Sequence, residues 1–326
     1  MQIIRGYKAI PEGLGPVVMT IGTYDGLHLG HRAIINRVVT HARREGLPAL
    51  VYSFYPPPWR LLGRGSFPFL ILTLEDKIAL LEEMGVDVLV TEEFTEELRS
   101  QSPVEFAGGV LRDRLQPKEI HVGYDFRFGR GRAGDWRFLE SHLGPHGTDI
   151  RPHGAVRVDG EIIGCSGIRE HICEGRVEVA GNLLGRHHGV RGVVQHGDKR
   201  GRTIGFPTAN VDPETELVPK AGVYAVWMHR SHGERLRGIA NVGVRPTFGG
   251  DSKTRVEVHL FDFDGDLYGE EVVVSFVFRV RDERTFDGIE SLVQQIKDDV
   301  RAVQEQDSWP EPSVEDARIS WDPKPV

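Results

Sequence analysis

Two rhythms of apolar positions divide this chain. Up to about residue 185, short apolar runs alternate with helical stripes. Val17–Gly22, Ala49–Phe54, Val86–Val90 and Ile120–Gly123 are runs of strand length, rich in β-branched residues. Between the first two, Ile34, Ile35, Val38, Val39 and Ala42 repeat at helical spacing and predict a helix over 31–45. A shorter helix is predicted over 75–84. Ser102 before Pro103 predicts a helix start, with a capping hydroxyl followed by proline at the first helical position. A β–α–β–α order predicts a mostly parallel sheet with helices on both faces, whose ligands sit at the carboxyl ends of strands.

Beyond residue 185 the period changes. Segments 189–194, 222–229, 236–243, 254–263 and 271–280 alternate as strands do. A helical stripe returns at 288–303, where Ile289, Leu292, Val293, Ile296 and Val300 share a face. Asp287 with Glu290 resembles a capping box at its start. This predicts a β-barrel or small sheet closed by one C-terminal helix. The boundary is expected between Gly181 and Arg186, giving domains over 1–182 and 183–305. The tail 306–326, with Pro310, Pro312, Pro323 and Pro325, reads as irregular, and Trp309 and Trp321 are its candidates for docking.

Composition agrees with two globular domains. The chain has 326 residues, 39% of them hydrophobic and 27% charged, enough to bury two cores. A formal net charge of −8 makes nucleic acid or an anionic membrane an unexpected partner, so local basic clusters should serve small anions. Cys165 and Cys173 are too few for a four-thiolate zinc site or a disulfide framework, which fits reduced thiols in the cytoplasm. Residues 1–8 lack the apolar core of a signal peptide, and no apolar run approaches the ~18 residues of a membrane span.

The chemistry concentrates in two glycine-bearing stretches. In His196–Asn210, Gly197, Gly201 and Gly205 recur every fourth residue, with Lys199, Arg200 and Arg202 among them. Bare glycine backbone can approach an anion closely. Thr208 and Asn210 offer the hard oxygen ligands that Mg²⁺ accepts. The combination suits a magnesium nucleotide, although it is not a P-loop. The second stretch, Gly22-Thr-Tyr-Asp-Gly-Leu-His-Leu-Gly-His31, joins a strand end to a helix start, an anion site by geometry. His28 and His31 can donate to phosphate oxygens, and Gly30 leaves room for a base or ribose.

The glycine-rich stretch ending in Pro207-Thr-Ala-Asn210 resembles the riboflavin kinase family, in which it holds ATP and Mg²⁺. In Thr254-Arg-Val-Glu-Val-His-Leu-Phe261, Glu257 and His259 share a strand face. Glu257 matches that family's catalytic glutamate, a general base beside a ribityl hydroxyl. Asn241–Phe248, Asp266-Leu-Tyr-Gly269 and Arg281–Phe286 match as well. They imply that Tyr268 lies near ATP, and Arg281 and Phe286 near the flavin. The Gly22–His31 stretch resembles the nucleotidylyltransferase superfamily and, in its fuller form, bacterial FAD synthetases. It implies an ATP site that includes Gly22, Asp25 and Gly30. Val122-Gly-Tyr-Asp-Phe-Arg-Phe-Gly129 resembles that family's flavin-associated segment, implicating Asp125, Phe126 and Phe128. Gly164-Cys-Ser-Gly-Ile-Arg169 aligns with its Ser-Ser-Thr-x-Ile-Arg, placing Ser166 and Arg169 at the triphosphate. Gly164, Cys165 and Pro57 depart from the pattern.

The chain is thus identified as a member of the bacterial bifunctional riboflavin kinase/FAD synthetase family. The resemblance implies a nucleotidylyltransferase-like first domain and a kinase barrel. It implies conversion of riboflavin to FMN with ATP and Mg²⁺, and of FMN to FAD with release of pyrophosphate. A riboflavin kinase with a weak or inactive first domain, and a flavin-binding regulatory protein, are the alternatives.

Overall fold

The computed structural model describes residues 1–61, 69–158, 160–197, 200–246, 252–306, 308–312 and 319–321. The chain packs as two units, and the split falls between Gly164 and Cys165. Residues 69–73 pack with the second unit, and strand 319–321 packs with the first.

The first unit is built on a parallel sheet. Its strands are β1 (Gln2–Arg5), β2 (Val17–Gly22), β3 (Ala49–Phe54), β4 (Val88–Glu92), β5 (Pro117–Gly123) and β6 (Asp149–His153), in the spatial order β1-β4-β3-β2-β5-β6. From β2 the chain runs outward to β3 and β4, then returns to β5 on the other side. The order therefore switches between β2 and β5, and a ligand crevice is expected at their carboxyl ends. The predicted helix is α1 (Leu29–Glu45), with Ile34, Ile35, Val38 and Ala42 buried, ending at Gly46 in the left-handed region (φ 66°). The second predicted helix is α2 (Leu74–Glu83). Ser102 caps as expected, and the Ser102–Glu105 capping box is complete. The helix it starts then widens to π geometry over Phe106–Leu115. Helix α3 (Trp136–Leu143) and the hairpin β7 (Val156–Val158) and β8 (Glu161–Ile162) complete the unit.

Helices α4 (Cys165–Cys173) and α5 (Val177–Leu184) pack with the second unit. Glu178 on α5 accepts from the Arg279 amide at 3.1 Å. The unit's centre is a closed antiparallel barrel of β9 (His188–Gln195), β10 (Ala209–Pro213), β11 (Gly222–Arg230), β12 (Arg235–Pro246), β13 (Ser252–Leu260) and β14 (Glu271–Asp282). The strand order is β10-β13-β12-β11-β14-β9. Val190, Val211, Val226, Val256, Val258, Val274 and Phe276 fill the interior, as strand alternation demands.

Helix α6 (Ile289–Gln304) packs outside the barrel, against the face of Val223, Ala225, Ile239 and Val277. Two details differ from the sequence expectation. The N-cap is Gly288 with no side-chain cap bond, so Asp287 and Glu290 do not form a box. Ile289 is 69% exposed, and the deeply buried residues are Asp299 and Val303. Asp299 is drawn in by Arg281, whose Nε lies 2.9 Å from Oδ2. The tail is also less irregular than its prolines suggest. Trp309 is buried edge-on against Trp227 with centroids 4.8 Å apart, and Arg237 lies 4.3 Å over its ring. Strand β15 (Ile319–Trp321) pairs antiparallel with β7.

Trp309→Ala is expected to destabilise the barrel by about 3–5 kcal/mol, the usual cost of emptying a packed aromatic site. Urea unfolding measures this, and a change within about 0.5 kcal/mol, as at a surface site, would show the tail to be undocked.

Candidate active sites

The first site lies at the switch point. Between the end of β2 and the start of α1, Tyr24 (φ 48°) and Leu27 (φ 43°) adopt left-handed backbone beside Gly26 (φ 85°). Such conformations cost of order 1–3 kcal/mol each in non-glycine residues and persist only where the surroundings impose them. Here the surroundings are identifiable. Tyr24 folds its ring back over Gly22, where a Cβ would overlap the ring. Its hydroxyl meets Thr20 Oγ1. Thr20 gives its own proton to the His121 carbonyl at 2.6 Å, so Tyr24 is the donor to Thr20. Burial raises the Tyr24 hydroxyl above the usual phenol range, which keeps that proton in place. From below, buried Lys77 donates to the Thr23 carbonyl at 2.9 Å and to Ser53 Oγ at 3.4 Å, and Ser53 donates to the same carbonyl at 3.0 Å.

The strained loop delivers His28 to the N-cap of α1. Its Nδ1 accepts from the His31 amide at 3.3 Å. A neutral His28 therefore carries its proton on Nε2, the donor face suited to a phosphate oxygen. The His28 and His31 rings stack at 3.7 Å, and Tyr24 meets His31 edge-on at 5.0 Å. The space over Gly30 is taken by the His28 ring, 3.1 Å from where a Cβ would sit, so this glycine admits the histidine rather than a base or ribose. Asp25 is buried in the loop, at 3% exposure.

Across the switch point, the segment after β5 carries exposed Asp125 and half-buried Phe126. Phe126 stacks on Phe128 at 5.4 Å. Phe128 is core, packed against Phe106 and Phe138. Ser166 and Arg169 lie three residues apart on α4, in the second unit, where Arg169 Nε donates to the Phe69 carbonyl at 2.9 Å.

The second site is a polar row on the outside of the barrel. Strand register sets Gln195 opposite Asn210, Asn210 opposite Glu257, and Glu257 opposite Asn241. Directly paired residues point to the same face, and this is the face opposite Val256 and Val258, which are interior. The glycine-rich stretch closes over the row. A Cβ at Gly197 would overlap the Asn210 amide, and one at Gly201 would overlap the Phe206 carbonyl and lie 3.4 Å from Thr208 Oγ1. His259, two residues from Glu257, donates from Nδ1 to the Pro207 carbonyl at 2.8 Å and so anchors the stretch. Arg200–Thr203 form one helical turn, Arg202 is exposed, and Gly205 has φ 89°. Lys199, with Thr247 and Phe248, lies outside the described residues. Tyr268 lies tilted against His196, with ring centroids 3.9 Å apart. Arg281 holds Asp299 and lies 5.7 Å from the Phe286 ring.

Some of these residues escaped the sequence reading. Lys77 reads as a surface helix lysine, yet it shares a stripe with Leu74 and Leu81, and a lysine within an apolar stripe is the available signal. Tyr24, Thr20 and Ser53 show no signal in isolation. Asn241 lies within a stretch that resembles the kinase family, but its place beside Glu257 depends on the register between β12 and β13.

Comparison with known proteins matches both halves. Residues 11–166 match the FAD synthetase family model, and residues 184–306 match the riboflavin kinase model. The chain is 38% identical over 304 residues to a bifunctional riboflavin kinase/FMN adenylyltransferase from Pseudomonas fluorescens, covering 93% of this chain and 96% of that one. It is 36% identical over 300 residues to the protein of the same description from Haemophilus influenzae, covering 92% and 97%. A crystal structure described as a macrolide-efflux protein from Streptococcus pneumoniae superposes with a TM-score of 0.84 at 31% identity, covering 94% of this chain and 99% of that one. Among the described residues of this chain, no helix is long and apolar enough to cross a membrane.

Lys77→Met is expected to loosen the strained loop. Ser53 Oγ loses a donor and the Thr23 carbonyl keeps only that of Ser53, a buried loss that typically costs about 1–3 kcal/mol. Hydrogen exchange should then quicken at Tyr24–Leu27. Unchanged protection there would mean that Lys77 does not hold the loop.

Proposed function

The chain belongs to the family of bifunctional riboflavin kinase/FMN adenylyltransferases, and we propose how its residues divide the two reactions. It phosphorylates riboflavin to FMN and joins FMN to the AMP part of ATP, releasing pyrophosphate.

Phosphorylation is assigned to the barrel's outer face. The observation that carries this is the Asn210–Glu257–Asn241 row beneath Gly197. Glu257 takes the proton of the ribityl primary hydroxyl as that oxygen attacks the γ-phosphorus of ATP. The glycine-rich stretch lets backbone amides approach the phosphates without Cβ interference. Thr208 and Asn210 fit a magnesium ion, because both offer hard oxygen donors on half-buried side chains close to the bare backbone of Gly201 and Gly197. Bound there, Mg²⁺ would offset charge on the triphosphate. Tyr268 and His196 wall the nucleotide side. Phe286, with Arg281 over its ring, offers an aromatic surface to the flavin.

Adenylylation is assigned to the switch-point loop. The FMN phosphate is already an anionic nucleophile, so no protein base is required. The positive end of α1 and the Nε2 proton of His28 favour the triphosphate. His31, stacked on His28, helps to stabilise charge on departing pyrophosphate. Ser166 and Arg169, three residues apart on α4, keep the anion-binding role that the family resemblance implies. Asp125 and the half-exposed ring of Phe126 receive the flavin, with Phe128 backing Phe126 from the core.

Glu257→Gln should keep the fold and slow FMN formation about 10²–10⁴-fold, the range for a general base. Near-normal turnover would remove Glu257 from that role. Gly197→Ala, which displaces the Asn210 amide, should cost FMN formation about 10²-fold, while FAD formation from supplied FMN persists. His31→Ala should show the reverse selectivity, losing about 10²–10³-fold in FAD formation. Equal losses of both activities in either variant would contradict the division.

A further inference from the structure

Beneath the adenylylation loop, five titratable side chains meet where α1 crosses β5 and β6. Glu119 and His121 alternate on β5 and share one face of the sheet. Arg37 and His41 are one turn apart on α1, and His153 ends β6. Glu119, His121 and His153 are 5%, 1% and 7% exposed. The contacts form one line. Arg37 Nη1 lies 3.3 Å from His153 Nδ1, His153 Nε2 lies 3.0 Å from His121 Nδ1, and His121 Nε2 lies 3.3 Å from Glu119 Oε2. From the other side, His41 Nδ1 lies 2.8 Å from the same oxygen.

The line has a single proton direction. Arg37 can only donate, so His153 Nδ1 accepts and its proton sits on Nε2. His121 Nδ1 must then accept, which leaves the His121 proton on Nε2, pointing at Glu119. An ionised carboxylate only accepts, so it takes this proton and that of His41. Every link is satisfied when His153 and His121 are both neutral. A second proton on either would set two donors against each other. The same line reaches the active loop. The His121 carbonyl accepts from Thr20, Thr20 accepts from Tyr24, and the helix that carries Arg37 and His41 carries His28 and His31 at its start.

We propose that Arg37, His153, His121, Glu119 and His41 are positioning residues for adenylylation, a proton-directed line that pins α1 to the sheet and makes the adenylylating unit acid-labile. The surrounding charges agree. Facing the two buried imidazoles are Arg37, His41 and Arg44 from α1, Glu119 from β5, and Arg151 from β6. Strand β2 contributes uncharged Thr20. Arg44 is tied to Glu45, and Arg151 to Asp149. Burial, reinforced by His41 beside His121 and by His121 and Arg37 beside His153, lowers these two histidines to about 4 and about 3. Burial works against ionisation of Glu119, but the hydrogen bonds from His41 and His121 hold it below the usual carboxylate range.

A divalent metal is the rival reading, because His41, Glu119 and His121 place ligand atoms within 4.8 Å of one another. Two features oppose it. Arg44 and Arg151 lie 3.8 and 4.0 Å from the Glu119 carboxylate, and His121 Nε2 needs its proton for the line.

The sign follows from linkage. Unfolded histidine protonates near pH 6.5, whereas these two resist protonation in the folded unit. Their neutral form is therefore harmless above about pH 6.5, and folded stability falls as the pH drops toward their folded values. At about pH 5.5 each depressed histidine reduces the folded-to-unfolded ratio about tenfold.

The test heats the full chain at about pH 7.5 and about pH 5.5, then assays residual FAD and FMN formation after return to about pH 7.5. Wild type should lose FAD formation faster at the lower pH. In His153→Gln and, separately, in His121→Gln, glutamine can hydrogen-bond but not titrate. Each should remove up to about tenfold of that acceleration while leaving the pH response of FMN formation as in wild type. Should one variant yield no active protein, the other decides. Variants with the wild-type pH response would overturn the proposal, as would protection of FAD formation by added Zn²⁺, which would make this a metal site. The proposal rests on adenylylation being the work of this unit; FAD formation by unheated wild type, and its loss in His31→Ala, test that assignment separately.

Discussion

Between β10 and β13 the antiparallel ladder sets Asn210 opposite Glu257, and between β13 and β12 it sets Glu257 opposite Asn241. A slip of one residue would turn Glu257 into the barrel and bring an interior valine out, since side-chain direction alternates with every residue. The valines at 256 and 258 make that slip costly, because each would exchange a buried site for water. The apolar interior therefore fixes the position of the polar row, and barrel closure leaves no free edge along which the register could drift. In the first unit the reversal of strand order between β2 and β5 does comparable work. It places the segments that follow both strands at one crevice.

Both units bring polar groups close to bare backbone, and each does so differently. Over the barrel, Gly197 and Gly201 omit side chains so that Asn210 and Thr208 fit against the chain. At the switch point, Tyr24 and Leu27 are held in conformations they would not adopt alone. The restraint comes from buried donors, Lys77 and Ser53 on one side and Tyr24 through Thr20 on the other. Strain at this loop is thus supported by side chains of β2, β3 and α2 together with the loop's own Tyr24.

Much of this was legible in the sequence, for reasons that differ between elements. Helix α1 and strands β2, β3 and β11–β14 follow from periodicity because each buries a regular stripe or face. Edge strand β1 and hairpin β7–β8 were missed because they are short and half exposed. The π-helical turn at Phe106–Leu115 has no periodic signature distinct from an α-helix. Helix α6 misled in part, because Asp299 takes a buried position that an apolar stripe would assign to a hydrophobe, and Arg281, which accounts for it, lies on another strand. The motif residues Thr208, Asn210, Glu257, His28 and His31 were readable from resemblance. Their supports Lys77, Asn241 and the His121–His153 line were not, since Lys77 reaches the loop from a helix and the others are brought together by the register of paired strands.

The central claim is that nucleotide and flavin meet at two places, one at the switch point and one on the barrel's outer face. Hydrogen exchange of the full chain, with either FMN and a non-hydrolysable ATP analogue or riboflavin and Mg–ADP, tests it directly. The first pair should protect the loop from Gly22 to His31 and the segment after Gly123. The second should protect the stretch ending at Asn210 and the middle of β13. Protection confined to one of these places under both conditions would contradict the account.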